Sequence, residues 1–350
     1  MNNTQLAQKF KWEFGMDRRH ATILQVIIIA IIKVGTVNLT KLVSWFNTKT
    51  KRESRYKKVK RFFRRYRFDE ETLALFLASF AWDWPWILSM DRTNRKYGKT
   101  NINILMIGIV YKWIAIPVLR RLLSKRWNSH TTERIEILRR FIEIFGHEKV
   151  WLLLADREFI WTIRIWWLRD NNIDFILRIR NNTQVEGYGN IRPIYHSFKH
   201  DKYYHYRTLH CSRMIWWMKL YITGMKIAHN EYLIVISDKY REDAIQEYGA
   251  RREIETLFWC FKTRGFRFED THLQNSERIG TMIWVLCIAF VWAYSVWEWR
   301  SEKDPIEIKK HWRKQYSIFR YGLDLLRDIF EDILFNMQEF MRALRLLYRT

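Results

Sequence analysis

Cysteine is scarce in this sequence. Cys211, Cys260 and Cys287 are odd in number, widely spaced and without a C-x-x-C pair, so neither a disulfide framework nor a thiolate zinc site is indicated. A reducing cytoplasm fits that usage best. Internal repeats and low-complexity linkers are lacking too, which argues against a solenoid or a long tethered array. The N-terminus has no cationic segment leading into an apolar run and a small-residue cleavage site, so secretion is not expected. Acidic residues are in short supply: 37 Asp and Glu face 61 Lys and Arg, a formal net charge of +24. Such an excess argues for a polyanionic partner, nucleic acid first and an anionic membrane surface second.

Apolar residues are plentiful, at 48% with 17% aromatic and 19 Trp, which excludes a disordered chain. At 350 residues a sizeable core can form, as one large domain with attachments or as two to three domains. Two apolar runs raise the membrane alternative. Thr22–Val34 is too short to span and is interrupted by Gln25 and Lys33. Ile279–Trp299 is long enough, but strongly charged sequence flanks it on both sides and no second run of that length exists. It reads as a buried core helix, and no membrane partner is expected.

From Thr22 to Phe68 the periodicity is helical, with Leu39, Leu42, Val43 and Phe46 on one stripe and Asn38 placed to cap it. The segment KRESRYKKVKRFFRRYR follows, with an apolar stripe of Tyr56, Val59 and Phe63 among cations that include Arg52, Arg55, Lys57, Lys58 and Arg61. Cations packed so densely repel one another unless an anion is near. Two short helices, the second strongly basic, suggest a helix-turn-helix-like DNA contact.

Trp86–Met90 is a short apolar run that ends at Asp91, and a second run covers Ile102–Leu119 with Gly108 and Pro117 as interruptions. These read as strand, hairpin and one or two further strands. A helix is expected from His130 to Phe145, closed by Gly146, and then a buried-type strand, Val150–Ala155, that delivers Asp156. A helix over Trp161–Arg169 and a strand over Ile173–Ile179 come next. Residues Gly187–Asp238 alternate and read as β-rich; His205, His210 and His229 fall there and read as strand-surface residues. Strands, a helix, then alternating strand and helix is the order of a ribonuclease H-like α/β core, and open α/β sheets do chemistry at strand ends.

Between Tyr248 and Thr263 the sequence reads YGARREIETLFWCFKT. On one continuous helix Tyr248, Arg251, Glu255 and Lys262 would fall within a sector of about 60°, beside an apolar face of Ile254, Leu257, Phe258 and Phe261. Gly265 supplies a stop. The spacing Y-x2-R-x3-E-x6-K resembles the Y-R-E-K box of DDE transposases of the insertion-sequence-four family. MDRTNRKYGKTNINIL and LLADREF resemble that family's first- and second-aspartate blocks, and the likeness runs from about Val37 to Phe330. Arg95 and Arg252 stand where Trp is often found in the family.

The resemblance implies a ribonuclease H-like catalytic core over 81–183 and 239–300 with a β-strand insertion at 184–238. A helical, basic DNA-binding region over 1–80 and a helical C-terminal region over 301–350 would flank it. It further implies Asp91, Asp156 and Glu255 as the catalytic, metal-binding carboxylates, with Tyr248, Arg251 and Lys262 on DNA phosphate. Two Mg²⁺ ions, or Mn²⁺ in their stead, would serve cleavage and strand transfer on double-stranded transposon-end and target DNA. A homodimer assembled on DNA, in the nucleoid-associated cytoplasm, is the expected working form. A catalytically inactive DNA-binding relative, a ribonuclease H-like nuclease and a membrane-associated basic protein are the alternatives.

Overall fold

Alternating apolar runs become strands and 3.6-period stripes become helices in the computed structural model, which describes residues 3–46, 50–82, 85–97, 100–123, 131–160, 162–187, 190–310 and 312–348. Expectations that fall on His130, Trp161 and Lys49 lie outside the described residues. The chain divides into two compact units, Met1–Trp82 with Lys96–Ile102 and Leu257–Thr350, and Asp83–Arg95 with Asn103–Thr256.

The first unit is helical. It holds α1 (Asn3–Glu13), α2 (Arg18–Val34), α3 (Leu39–Leu42), α4 (Arg52–Arg65) and α5 (Glu70–Ala78). Asn38 accepts hydrogen bonds from the Thr40 and Lys41 amides, the cap expected from the sequence. α4 buries Val59, Phe62 and Phe63 and turns Lys57, Lys58 and Arg61 to solvent.

The second unit is built on an 11-stranded sheet, counted among the described residues. Its strands are β1 (Trp86–Tyr97), β2 (Thr100–Tyr111), β3 (Ile114–Leu123), β4 (Val150–Ala155), β5 (Phe175–Ile179) and β6 (Gln184–Gly187). They continue with β7 (Asn190–Pro193), β8 (Tyr206–Thr208), β9 (Arg213–Ile215), β10 (Met218–Ala228) and β11 (Glu231–Ser237). The strand order is β3-β2-β1-β4-β5-β11-β10-β9-β6-β7, with β8 paired to β10. The β1–β4 and β4–β5 pairs are parallel, whereas β2–β3, β5–β11 and β10–β11 are antiparallel. The interrupted run read as 102–119 is two strands, because the Lys112-Trp113 turn divides it. The β-rich segment does not stand apart from the sheet: β11 pairs directly with β5 and carries the sheet onward.

α6 (Thr131–Phe145) and α7 (Thr162–Asp170) follow β3 and β4. α8 (Ala244–Gly249) packs Ala244, Ile245 and Tyr248 on Leu152, Leu154, Ile176 and Val235, one face of the sheet. α9 (Arg252–Phe261) follows it. α10 (Ser276–Ser301), α11 (Ile318–Glu331) and α12 (Met337–Arg345) complete the helical unit. Among the described residues α10 is the single unbroken helix long and apolar enough to cross a membrane, and its apolar window is wholly buried inside the fold. It behaves as the core helix expected from its position. The indole N–H of fully buried Trp292 donates to the Ala343 carbonyl at 2.9 Å, which spares an orphaned buried donor.

α11 packs closely on α10 because Gly322 has no side chain: a Cβ there would meet the Ala293 carbonyl oxygen at 1.9 Å. Backbone cannot yield as a flexible side chain can. Gly322→Ala is therefore expected to cost about 1–3 kcal/mol. Gly249→Ala, with nothing within 4 Å of the added carbon, should gain about 0.4–1 kcal/mol by restricting the unfolded chain. Urea denaturation of both variants checks this, and equal losses would contradict the packing account.

Candidate active site

The site starts from the period of two in a β-strand. Residues of like parity share a face, so Ile87, Ser89 and Asp91 on β1 look the same way, as do Leu152 and Leu154 on β4 with Asp156 just beyond. Ile176 and Arg178 on β5 do the same. In the parallel β1–β4 ladder Met90 stands opposite Ala155, so Asp91 and Asp156 come one step later on neighbouring strands; β4 ends there, whereas β1 does not stop at Asp91 as expected but runs on to Tyr97. The apolar members of these rows hold α8, and their polar ends form a carboxylate edge.

Tyr248 to Thr263 is not one continuous helix. The chain leaves α8 at Gly249 and re-enters α-helix at Arg252. Across the junction the Ala250, Arg251, Glu253 and Ile254 amides bond to carbonyls three residues back rather than four. Such a tightened stretch turns by about 120° per residue, so positions i and i+3 eclipse. Tyr248 and Arg251 are so spaced. Arg251 and Glu255 are then one α-helical turn apart, and the shared face survives the break.

The guanidinium of Arg251 lies at the centre. Its Nη1 donates to Asp91 Oδ2 at 3.0 Å, and its Nη2 donates to the Glu255 carboxylate. Its side chain is 8% exposed against 13% for Asp91 and 43% for Glu255. The buried Arg251–Asp91 arm therefore carries most of the energy, since an exposed pair contributes little and losing one partner of a buried pair costs about 3–5 kcal/mol. The Ser89 hydroxyl holds the Arg251 carbonyl at 3.4 Å. Tyr248, buried, makes a long hydrogen bond from its hydroxyl to Asp156 Oδ1 at 3.4 Å, and Arg178 Nη1 lies 3.9 Å from the same oxygen. The Arg251 guanidinium stands 5.8 Å from the centre of the Tyr248 ring, so the Arg251–Asp91–Glu255 and Tyr248–Asp156 sets lie side by side within one unit.

Burial pushes the Asp91 carboxyl up to about 6, against the lowering effect of Arg251 and of the Arg92 amide. The Tyr248 hydroxyl is also raised by burial. Burial works to lower the Arg251 pKa, and Tyr248, Asp91 and Glu255 outweigh it, so the net shift is upward and the guanidinium stays charged.

Lys262 follows α9 in the helical unit, half-buried, with its carbonyl accepting from the Arg267 amide at 2.8 Å. In the basic helix, Arg52 and Arg55 are engaged structurally. Arg55 Nη1 donates to the Phe46 and Val43 carbonyls at 2.6 and 3.2 Å, and Arg52 Nη2 to Thr40 at 3.3 Å. Cations there satisfy the carbonyl end of the preceding turn. Arg55 is half-buried, whereas Arg52, Lys57, Lys58 and Arg61 are exposed.

Sequence reasoning missed a brace behind the aspartates. Arg92 forms a bidentate pair with Glu158 at 2.9 and 3.3 Å, tying the two aspartate segments together. Fully buried Arg134 on α6 donates to the Glu158 carbonyl at 2.6 Å and stacks on Phe159. A lone Arg in the apolar run of β5, Arg178, was the one signal available for its neighbour. Such a charge inside a buried strand needs a partner.

Among the described residues no group of three His, Cys, Asp or Glu side chains is arranged to hold a metal ion as it stands. The donor chemistry nevertheless fits a hard divalent ion. Asp91, Asp156 and Glu255 all offer oxygen, and desolvated Asp91 gains from added positive charge.

Residues 120–292 match the family model of the transposase DDE domain. Asp156 and Glu255 lie inside that span and Asp91 before it. A search of curated proteins finds no match. Among solved structures, the fold resembles the piggyBac transposase in a cryo-EM synaptic complex with hairpin DNA. That similarity has a TM-score of 0.50 at 11% identity and covers 97% of this chain and 81% of that one. At that identity it speaks to fold alone: a transposase fold of mixed α/β class.

The raised Asp91 carboxyl gives a signed pH dependence. Its ordinary value is 3.8 and its folded value about 6, so the unfolded chain loses this proton first and the folded state loses stability as pH rises from about 4 to about 6, then levels off. Over that window the loss is on the order of 3 kcal/mol. In EDTA, stability of wild type minus that of Asp91→Asn should fall between pH 4 and 6 and be flat above, because Arg251 stays charged throughout. Parallel curves would remove the burial argument.

Proposed function

We propose that the chain is a DDE-type DNA transposase that cuts transposon ends and joins them to target DNA by in-line phosphodiester displacement. The observation that carries this reading is the cluster of Asp91, Asp156, Glu255, Tyr248 and Arg251 where the β1–β4 pairing ends. The strand order 3-2-1-4-5 with parallel β1, β4 and β5 supports a ribonuclease H-like core. The match of residues 120–292 supports the reaction class.

Asp91 and Asp156, with Glu255 once it leaves Arg251, would hold divalent ions, Mg²⁺ or Mn²⁺. When bound, such ions supply positive charge to the attacking and leaving oxygens of the phosphodiester. The chain's own residues do the rest. Arg251 keeps the acids together before DNA arrives and, by exchanging a carboxylate for phosphate, becomes a charge-assisted grip on the strand. Lys262 adds a point charge to phosphate, and Tyr248 orients Asp156 and contacts the backbone. Water serves as nucleophile for nicking and a DNA 3′-OH for joining. Lys57, Lys58 and Arg61 on α4 bind double-stranded DNA through phosphate, Arg52 and Arg55 fix that helix and its field, and a homodimer assembles on the DNA. Work on DNA in the nucleoid-associated cytoplasm agrees with the charge and the reduced cysteines.

Asp91→Asn, Asp156→Asn and Glu255→Gln are each expected to abolish nicking of supercoiled DNA under Mg²⁺ while still binding DNA, since an amide is a poor ligand for a hard cation. Near wild-type nicking by any of them removes that residue from the site. Arg251→Lys keeps a charge but cannot span two carboxylates. It should lose one to two decades in rate, more in strand joining than in nicking, because a 3′-OH needs closer positioning than water.

On α4, Lys57→Gln, Lys58→Gln and Arg61→Gln should each flatten the plot of log K against log salt concentration by about 0.9 for every phosphate that is no longer neutralised. An unchanged slope would take DNA away from this helix.

A further inference from the structure

The segment EIKKHWRKQY, residues 307–316, lies in the helical unit between α10 and α11 and takes no part in the proposed site. Its described residues, 307–310 and 312–316, fold as a small hairpin. Ile308 bridges Lys314, the Lys309 amide donates to the Arg313 carbonyl at 2.9 Å, the Gln315 amide to Glu307 at 2.9 Å and the Trp312 amide to Lys309 at 2.8 Å. Lys309, Lys310, Arg313 and Lys314 stand against one acid, Glu307, which pairs with Lys309.

Trp312 at the tip has φ +60° and is 90% exposed. Bulky residues seldom adopt this left-handed conformation, and Asn or Gly would do so with less strain. Burial does not offset the strain, because the indole is in solvent. A strained, exposed aromatic among cations points to a ligand that offers both a flat ring and negative charge. Cationic and apolar residues are also not segregated: Lys314 shares a cross-strand pair with Ile308, whereas a segment lying on a membrane separates apolar from cationic faces.

We infer that the 307–316 hairpin is a second DNA-contacting element, in which Lys310 and Arg313 bind phosphate and Trp312 stacks on an unpaired base. Nucleic acid supplies both features at one repeat, and base–aromatic stacking needs no sequence readout. The inference rests on DNA being the partner in the proposed function, and its test reads binding alone.

The test uses the full chain in EDTA with two fluorescent duplexes, one fully paired and one carrying an unpaired 2-aminopurine. Trp312→Asn should keep or raise the melting temperature, because Asn tolerates the left-handed conformation. The same variant should bind the unpaired duplex about 5- to 100-fold more weakly and lose the quenching of 2-aminopurine, with little change on the paired one. Lys310→Gln and Arg313→Gln should each flatten the salt dependence by about 0.9 on both duplexes. Unchanged affinity, quenching and slope in all three variants overturn the inference, as does a loss confined to anionic phosphatidylserine vesicles. Lys57→Gln and Lys58→Gln run alongside: if they weaken binding and the hairpin variants do not, only the hairpin assignment fails. If the wild-type chain binds neither duplex, the transposase reading fails with it.

Discussion

Bringing acids together is the central electrostatic problem of this protein, and Arg251 is its solution. Two carboxylates about 4 Å apart repel by roughly 4 kcal/mol at an effective dielectric near 20, and burial adds a desolvation cost to each charge. One guanidinium between Asp91 and Glu255 turns that repulsion into two charge-assisted bonds. The raised Asp91 carboxyl shows that the solution is partial, since burial still outweighs its neighbours there. A site in that condition is stable enough to fold and retains a demand for further positive charge.

Geometry makes this possible at two levels. Strand parity aligns the polar ends of β1, β4 and β5 over the same face that seats α8, so the apolar rows and the acidic edge are consequences of one pattern. The switch to three-residue spacing after Gly249 then keeps Tyr248 over Arg251 while α9 departs in its own direction. Behind them the Arg92–Glu158 pair and the buried Arg134 hold the segments that follow the two aspartates, so neither acid depends on a loose loop end.

Much of this was legible in the residues. The strand that ends just before Asp156, the Asn38 cap, the buried course of Ile279–Trp299 and the β-rich segment all follow from local periodicity and capping, which depend on near neighbours; the continuation of β1 past Asp91 does not, because its polar residues carry no apolar signal. The break in the Tyr248–Thr263 helix was not legible, because a residue-by-residue projection at 100° has no means to register a change of hydrogen-bond spacing. Nor was the commitment of Arg251 to carboxylates. Sequence spacing says that side chains share a direction, and only tertiary contact says which oxygens they meet. Arg52 and Arg55 teach the same lesson, since a count of cations does not say which of them are tied to backbone carbonyls.

Positive charge therefore works in this chain in two regimes that respond differently to solution conditions. The outward cations of α4 act through water, where fields fade over about 8 Å at physiological ionic strength, so their hold on a polyanion weakens steeply with salt. Arg251 acts on Asp91 across 3.0 Å in a setting from which solvent is largely excluded, and salt screens it far less. On the proposed function, raising ionic strength should consequently release DNA while leaving the acid cluster assembled. A competitor for Arg251 must instead bring its charge into the cluster itself, as a phosphate group or a hard cation would. Surface binding of a polyanion and assembly of the acid cluster are thus separable by chemistry even though both draw on basic residues.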